Sequence, residues 1–273
     1  MSTPPTAAAR RWSGQLEAWA IPDHIRAAAV SFPYEMDPDL FRPRPPASST
    51  GSLSTGSLST VRALEVLPAD ERSSVLDVGC GGGAATMALA HRLRAAVGVD
   101  QSTAMLDVFA QEATARGLQA RTVAGTWPEV AINAGKADLV VCHHVAYNVS
   151  DLGPFVTALD AAASRRVVME ITLTHPQTSN AALWQQFWEL DRPTGPTAQD
   201  ALAVIRDVGI DAAIEIGAAG SLRHEASIEA RAVTAARMLC LGPDRLVEVE
   251  AAVAALPPRS DQRAVIWWDI RQP

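Results

Sequence analysis

The chain is short of several residue types, and each shortage closes off a class of protein. Cysteine occurs three times in 273 residues, at Cys80, Cys142 and Cys240. An odd, scattered set excludes a disulfide framework and the paired spacing of a zinc site. Lysine occurs once, at Lys136, and no Lys/Arg cluster is longer than a pair. With a formal net charge of −7 and a pI of about 5.4, there is no basic stripe of the kind that nucleic-acid binding requires. No apolar run reaches the ~20 residues of a membrane span. The opening MSTPPTAAARRWSG has an arginine pair with no apolar core behind it, so no secretory signal is expected. These absences favour a cytoplasmic protein with no membrane, no nucleic-acid partner and no metal.

The chain is well supplied with apolar residues, at 48%, which is incompatible with general disorder. Its length suits one domain with an appendage. Residues 1–10 are expected to be disordered. Trp12, Leu16, Trp19 and Ala20 then recur at helical spacing until Pro22. FPYEMDPDLFRPRPP is proline-dense and reads as irregular. GSLSTGSLST, residues 51–60, is a five-residue unit repeated once and reads as a flexible joint. Ser59 or Thr60 can cap the helix that follows. The boundary falls there: residues 1–58 form a helical, lid-like segment and residues 59–273 the main domain.

From Ser74 the pattern alternates. Strands are expected at Val75–Val78, Ala96–Val99, Ala120–Ala124, Leu139–Cys142 and Arg166–Ile171, with helices at Ala84–Arg94, Thr103–Arg116 and Gly153–Ala163. Short, continuous apolar strands between helices call for a doubly wound α/β fold with a mostly parallel sheet. In the tail, LWQQFWEL and TAQDALAVIRDVG are helical, AAIEIG and RAVIWWDI are strands, and SIEARAVTAARMLCLG and PDRLVEVEAAVAAL are helices between those strands. Trp267 and Trp268 are adjacent in a strand, so they point to opposite faces and are both structural.

The chemistry is concentrated at VLDVGCGGGAA, residues 75–85, which reads as strand, glycine turn and helix start. Gly79, Gly81 and Gly82 let the backbone turn tightly and approach a ligand closely. The helix N-terminus behind them favours an anion, either a pyrophosphate or an amino-acid carboxylate. Asp100 closes the next strand, where a carboxylate can take a ribose diol. Gly79, Gly81 and Ala84 would pass as a dinucleotide fingerprint. Asp77 opposes that reading, because a fixed carboxylate repels a diphosphate but attracts the ammonium and sulfonium of S-adenosylmethionine (SAM). Alternatively, Asp77 merely caps the turn.

VLDVGCGGG, followed by VGVDQSTAML and ADLVVCHHVAYNVSDL, resembles the class I SAM-dependent methyltransferases, with a further likeness to actinobacterial members. The resemblance covers roughly residues 60–175. It implies a seven-stranded sheet whose antiparallel last strand lies between the fifth and sixth, here with a helical insertion before it. It also implies that Gly79, Cys80 and Gly81 approach the methionine moiety, that Asp77 lies near its ammonium, and that Asp100 binds the ribose. Gln101 and Met105 then flank the adenine. The family often has Gly-Asp-Ala after the third strand, where this chain has Gly125-Thr126-Trp127, so Thr126 and Trp127 take the adenine positions. Cys142 and His143 fall beside the amino end and the methyl group.

His143, His144 and Tyr147 follow the fourth strand at the carboxyl edge and are the candidate general bases; loop and core roles are the alternatives. Glu170 and His175 face the same edge. Trp19, Tyr34, Trp184 and Trp188 lie in segments that cover the active site in this family, so with Glu170 and His175 they form the candidate acceptor pocket. A core stripe is the plainer reading of the tryptophans. The expected activity is methyl transfer to a small, partly apolar molecule, with a homodimer compatible with it. RNA or protein methylation, a non-catalytic SAM-binding regulator, and a nicotinamide-dependent oxidoreductase are the competing readings.

Overall fold

The structure, a computed structural model, describes residues 4–30, 33, 57–69, 72–218, 227–258 and 260–271. Seven strands form one sheet: β1 Ser73–Val78, β2 Leu93–Asp100, β3 Gln119–Ala124, β4 Ala137–His143, β5 Ala163–Thr172, β6 Ala213–Ala218 and β7 Gln262–Asp269. Their order is β3-β2-β1-β4-β5-β7-β6. The first five strands run parallel, and β7 is antiparallel to both β5 and β6. The order reverses between β1 and β4, where a doubly wound sheet leaves a crevice at its carboxyl edge.

Both faces of the sheet are covered, which is why its inner strands are continuous apolar runs. Strand alternation sends Leu76, Val140, Cys142 and Trp268 to one face, where α7 (Leu152–Ala162), α9 (Ala198–Asp207) and α1 (Ala7–Glu17) lie. Val75, Val141, Val168 and Trp267 go to the other, under α3 (Leu58–Leu64), α4 (Ala84–Ala88) and α5 (Thr103–Ala115). The two adjacent tryptophans thus sit on opposite faces, as the pleat requires.

A third core stands apart from the sheet. α2 (Asp23–Arg26), α8 (Ala181–Trp188), α10 (Ile228–Met238) and α11 (Leu246–Ala254) pack around Ile25, Trp184, Leu239 and Val249. This is the insertion between β6 and β7, joined by the residues after β5 and by the N-terminal segment.

Several expected boundaries shift. Residues 1–10 are not wholly without order: Thr6 caps α1 by accepting from Ala9 N at 3.1 Å, and α1 begins at Ala7. Trp12 anchors that helix, fully buried, with its Nε1 donating to Val149 O at 2.8 Å. The helix expected over Ala84–Arg94 ends at Ala88; a short 3-10 turn at Ala90–Arg92 leads into β2, where Leu93 is already in the core. Ser57, not Ser59 or Thr60, caps α3, because the Ser59 hydroxyl turns inward to Glu170. Tyr34, FPYEMDPDLF apart from Pro33, and GSLST 51–55 lie outside the described residues.

Candidate functional site

The glycine turn sits where the sheet order reverses. Gly79, Gly81 and Gly83 have φ of 70°, 49° and 85°, a region that side chains with a Cβ rarely enter. A Cβ on Gly79 would lie 2.2 Å from Val145 Cγ2. The turn therefore packs against the loop that follows β4, and only glycine permits that approach. Asp100, at the end of β2, ties the turn down. Its Oδ2 accepts from Gly81 N at 2.9 Å and its Oδ1 from Ser102 N at 2.9 Å. A carboxylate oxygen can accept more than one hydrogen bond, so both retain capacity for hydroxyl donors.

Asp77 is buried beneath the turn, and its Oδ2 accepts from Thr86 Oγ1, in α4, at 2.7 Å. Burial pushes its carboxyl up to about 7, against the opposing effect of the Thr86 bonds. Such a group has much to gain from a cation brought beside it. Cys80 lies in the same pocket of buried groups; burial, then Asp77 and Asp100, push its thiol up. Met105 is buried at the start of α5, while Gln101 and Thr126 are exposed. Trp127 is different: its ring is in the main core and its Nε1 donates to Phe155 O at 3.2 Å. Core packing accounts for that indole, and its one polar atom is taken.

The residues after β4 divide between two environments. His143 extends the register of β4 opposite Glu170 of β5. Burial, partly offset by Glu170, pushes His143 down to about 4, and its Nε2 has no hydrogen-bond partner among the described residues. His144 adopts φ 61° and turns its Nε2 to 3.3 Å from Glu170 Oε1. Ser59 of α3 donates to the other Glu170 oxygen at 2.5 Å. Burial raises the Glu170 carboxyl, but His144, His143 and Ser59 outweigh it and hold the group at about 2. Tyr147 is a poor base: burial pushes its phenol up, and its hydroxyl donates to Thr172 O at 2.8 Å.

Beyond Tyr147 a cavity of about 380 Å³ opens, with Trp19, Tyr147, His175, Trp184, Arg192 and Met238 in its wall. Its size suits a small organic ligand. Trp19 is held by its Nε1, which donates to Gly195 O at 2.6 Å, and it stacks on His175 with centroids 4.3 Å apart. The Arg192 guanidinium lies over Trp19 at 4.9 Å and over Trp184 at 4.6 Å.

Of the six expected acceptor residues, the structure brings together Trp19, His175 and Trp184, and adds Tyr147. Two it places elsewhere. Trp188 faces the third core and donates to Leu239 O at 2.7 Å. Glu170 belongs to the His144–Ser59 cluster rather than to the cavity wall. Tyr34 is outside the described residues. Arg192 and Met238 escaped the sequence reading. DRPTGP carries no periodicity to mark Arg192, and Met238 lies inside an ordinary amphipathic helix. Among the described residues no group of three or more His, Cys, Asp or Glu could hold a metal, and no helix is long and apolar enough to cross a membrane.

Residues 75–165 match the family model of a methyltransferase domain. No curated protein matches the chain. Among solved structures, YcgJ from Bacillus subtilis is 14% identical, with 79% of this chain and 99% of that chain covered at a TM-score of 0.52. A protein of Bacillus halodurans C-125 is 12% identical, with 78% and 99% covered and a TM-score of 0.51. Magnesium protoporphyrin IX methyltransferase from Synechocystis PCC 6803, crystallised with S-adenosylhomocysteine, is 18% identical over 77% and 78%, with a TM-score of 0.49. At these identities the two Bacillus structures show a shared fold and no more, and none of the comparisons supports the narrower likeness to actinobacterial members. The matched segment carries the glycine turn, Asp100 and the post-β4 loop. The segment 75–165 is thus similar to a methyltransferase domain.

Proposed function

We propose that the chain methylates a small, partly apolar molecule bound in the aromatic cavity. The observation that carries this is the continuity of the loop after β4. Val145 abuts Gly79 of the cofactor turn, and two residues on Tyr147 lines the cavity. One short loop joins the two compartments.

The residues fit the cofactor. Asp77 offers a buried carboxylate to an ammonium, and Asp100, which already holds the glycine turn, offers spare lone pairs to a ribose. Gln101, Met105 and Thr126 would border the adenine, and Cys80, Cys142 and His143 the amino-acid end. When bound, the cofactor supplies an electrophilic methyl group on a sulfonium. The chain's part is then to hold the acceptor in line and to exclude water. Where an acceptor must lose a proton, His144 is the better base of the three candidates. It is exposed and is oriented by Glu170, whereas the His143 Nε2 is sealed from solvent and Tyr147 is committed to Thr172 O.

The test has two parts. S-adenosylhomocysteine should bind by calorimetry where a nicotinamide dinucleotide does not, and methyl-labelled SAM with a metabolite extract should label a small molecule. Label that moves only into RNA or protein overturns the substrate class; tight cofactor binding with no transfer to any acceptor identifies a regulator.

A further inference from the structure

His175 stands in the cavity wall in a constrained state. It caps the 3-10 turn Pro176–Asn180, its Nδ1 accepting from Gln177 N at 3.3 Å. A neutral imidazole that accepts at one nitrogen carries its proton on the other. The ring is also held in place. Trp19 stacks on one face with planes 17° apart, and Tyr147 meets it edge-on with centroids 5.5 Å apart. A ring flip would carry Nδ1 away from Gln177 N and break the cap. Nε2 has no hydrogen-bond partner among the described residues, and it is not among the atoms sealed from solvent.

We propose that His175 reads the acceptor: fixed as an Nε2–H donor beside Arg192, it recognises an anionic oxygen on a planar aromatic molecule seated against the cavity's rings. This rests on the reading of the cavity as the acceptor pocket. The oxygen it holds is a handle rather than the nucleophile, because a donated hydrogen bond withdraws the lone pair a nucleophile needs. Arg192 gives the same wall positive potential. Its guanidinium is fixed by the two indole faces and donates to Ala20 O at 3.2 Å and to Trp19 O. Burial and the Arg192 charge push His175 down to about 4, so at neutral pH the ring is a donor without charge. Among the described residues Glu17 is the one acid in the wall; it is exposed and therefore strongly screened. Tyr147, Trp184 and Met238 supply flat and polarisable contact for an aromatic ring.

The test uses the full chain and defined probes. In calorimetry without cofactor, naphthoate should bind at least about tenfold tighter than neutral naphthylmethanol. In His175→Phe, checked for folding by thermal melting, that preference should fall to about twofold or less. Nitrogen NMR of histidine-labelled wild type should show His175 as the Nε2–H tautomer at pH 7. Equal affinity of the two probes for the wild type, an unchanged preference in His175→Phe, or an Nδ1–H or cationic His175 each overturns the proposal. Should His175→Phe not fold, the two wild-type measurements decide. These readouts are independent of S-adenosylhomocysteine binding, so failure here with cofactor binding intact removes only the recognition mode. Failure of cofactor binding removes the methyltransferase reading instead.

Discussion

Asp77 and Glu170 are both carboxylates at the carboxyl edge of the sheet, yet their environments push them in opposite directions. Asp77 is raised to about 7, above its ordinary value of 3.8, chiefly by burial. Its contribution to stability is therefore full at acid pH and is lost as pH rises through about 7. A bound ammonium would reverse that by favouring the ionised form. S-adenosylhomocysteine binding at pH 6.5 should then release roughly half a proton or more, read by calorimetry in buffers of different ionisation enthalpy. Asp77→Asn should release none; if the two proteins behave alike, Asp77 only caps the turn. Glu170 is held at about 2, below its ordinary 4.5, because His144, His143 and Ser59 outweigh its burial. Its contribution is full above the ordinary value and is lost as pH falls toward 2. Glu170→Gln should cost about 2–3 kcal/mol in urea unfolding at pH 7, with the gap to wild type narrowing below pH 4.5 and closing only toward pH 2. Gly79→Ala should lose at least about 2 kcal/mol, since the new methyl meets Val145 Cγ2 at 2.2 Å at a positive φ.

At the scale of elements, strand rhythm made β1 to β7 legible, because short apolar runs between helical stretches admit few other arrangements. Helix ends were less legible. Capping is a choice among neighbouring hydroxyls, and Ser57 won only because Ser59 found Glu170 across the sheet edge. The four-residue spacing of Trp184 and Trp188 placed both on one helical face, but could not divide them between a cavity and a core. In the fold, α10 and α11 pack against α8 and take Trp188, while Trp184 reaches both the third core and the cavity. That division can be measured. Trp188→Phe loses its bond to Leu239 O and should cost about 1 kcal/mol while leaving naphthoate affinity unchanged. Trp184→Ala should weaken naphthoate binding about tenfold or more, as read by calorimetry. Equal effects of the two would contradict the division.

Across the whole molecule, a ligand that binds only the folded chain must stabilise it. S-adenosylhomocysteine at about a hundred times its dissociation constant should add about 2.7 kcal/mol and raise the melting temperature by several degrees, and a nicotinamide dinucleotide should leave it unchanged. What the sequence by itself determined was the doubly wound sheet and the glycine turn with Asp77 and Asp100. Those signals are local: hydrophobic period, glycine spacing and a carboxylate at a strand end lie within about 30 consecutive residues. The aromatic cavity was decided only by tertiary structure. Trp19, Tyr147, His175, Trp184, Arg192 and Met238 come from far-separated segments. Their meeting depends on how α1, the post-β5 turn and the β6–β7 insertion pack against one another, and no periodicity in one segment encodes the position of another. The same holds for the state of His175. Its residue type was plain in the sequence, but whether it gives or takes a proton follows from the Gln177 amide and the Trp19 ring that the fold sets against it.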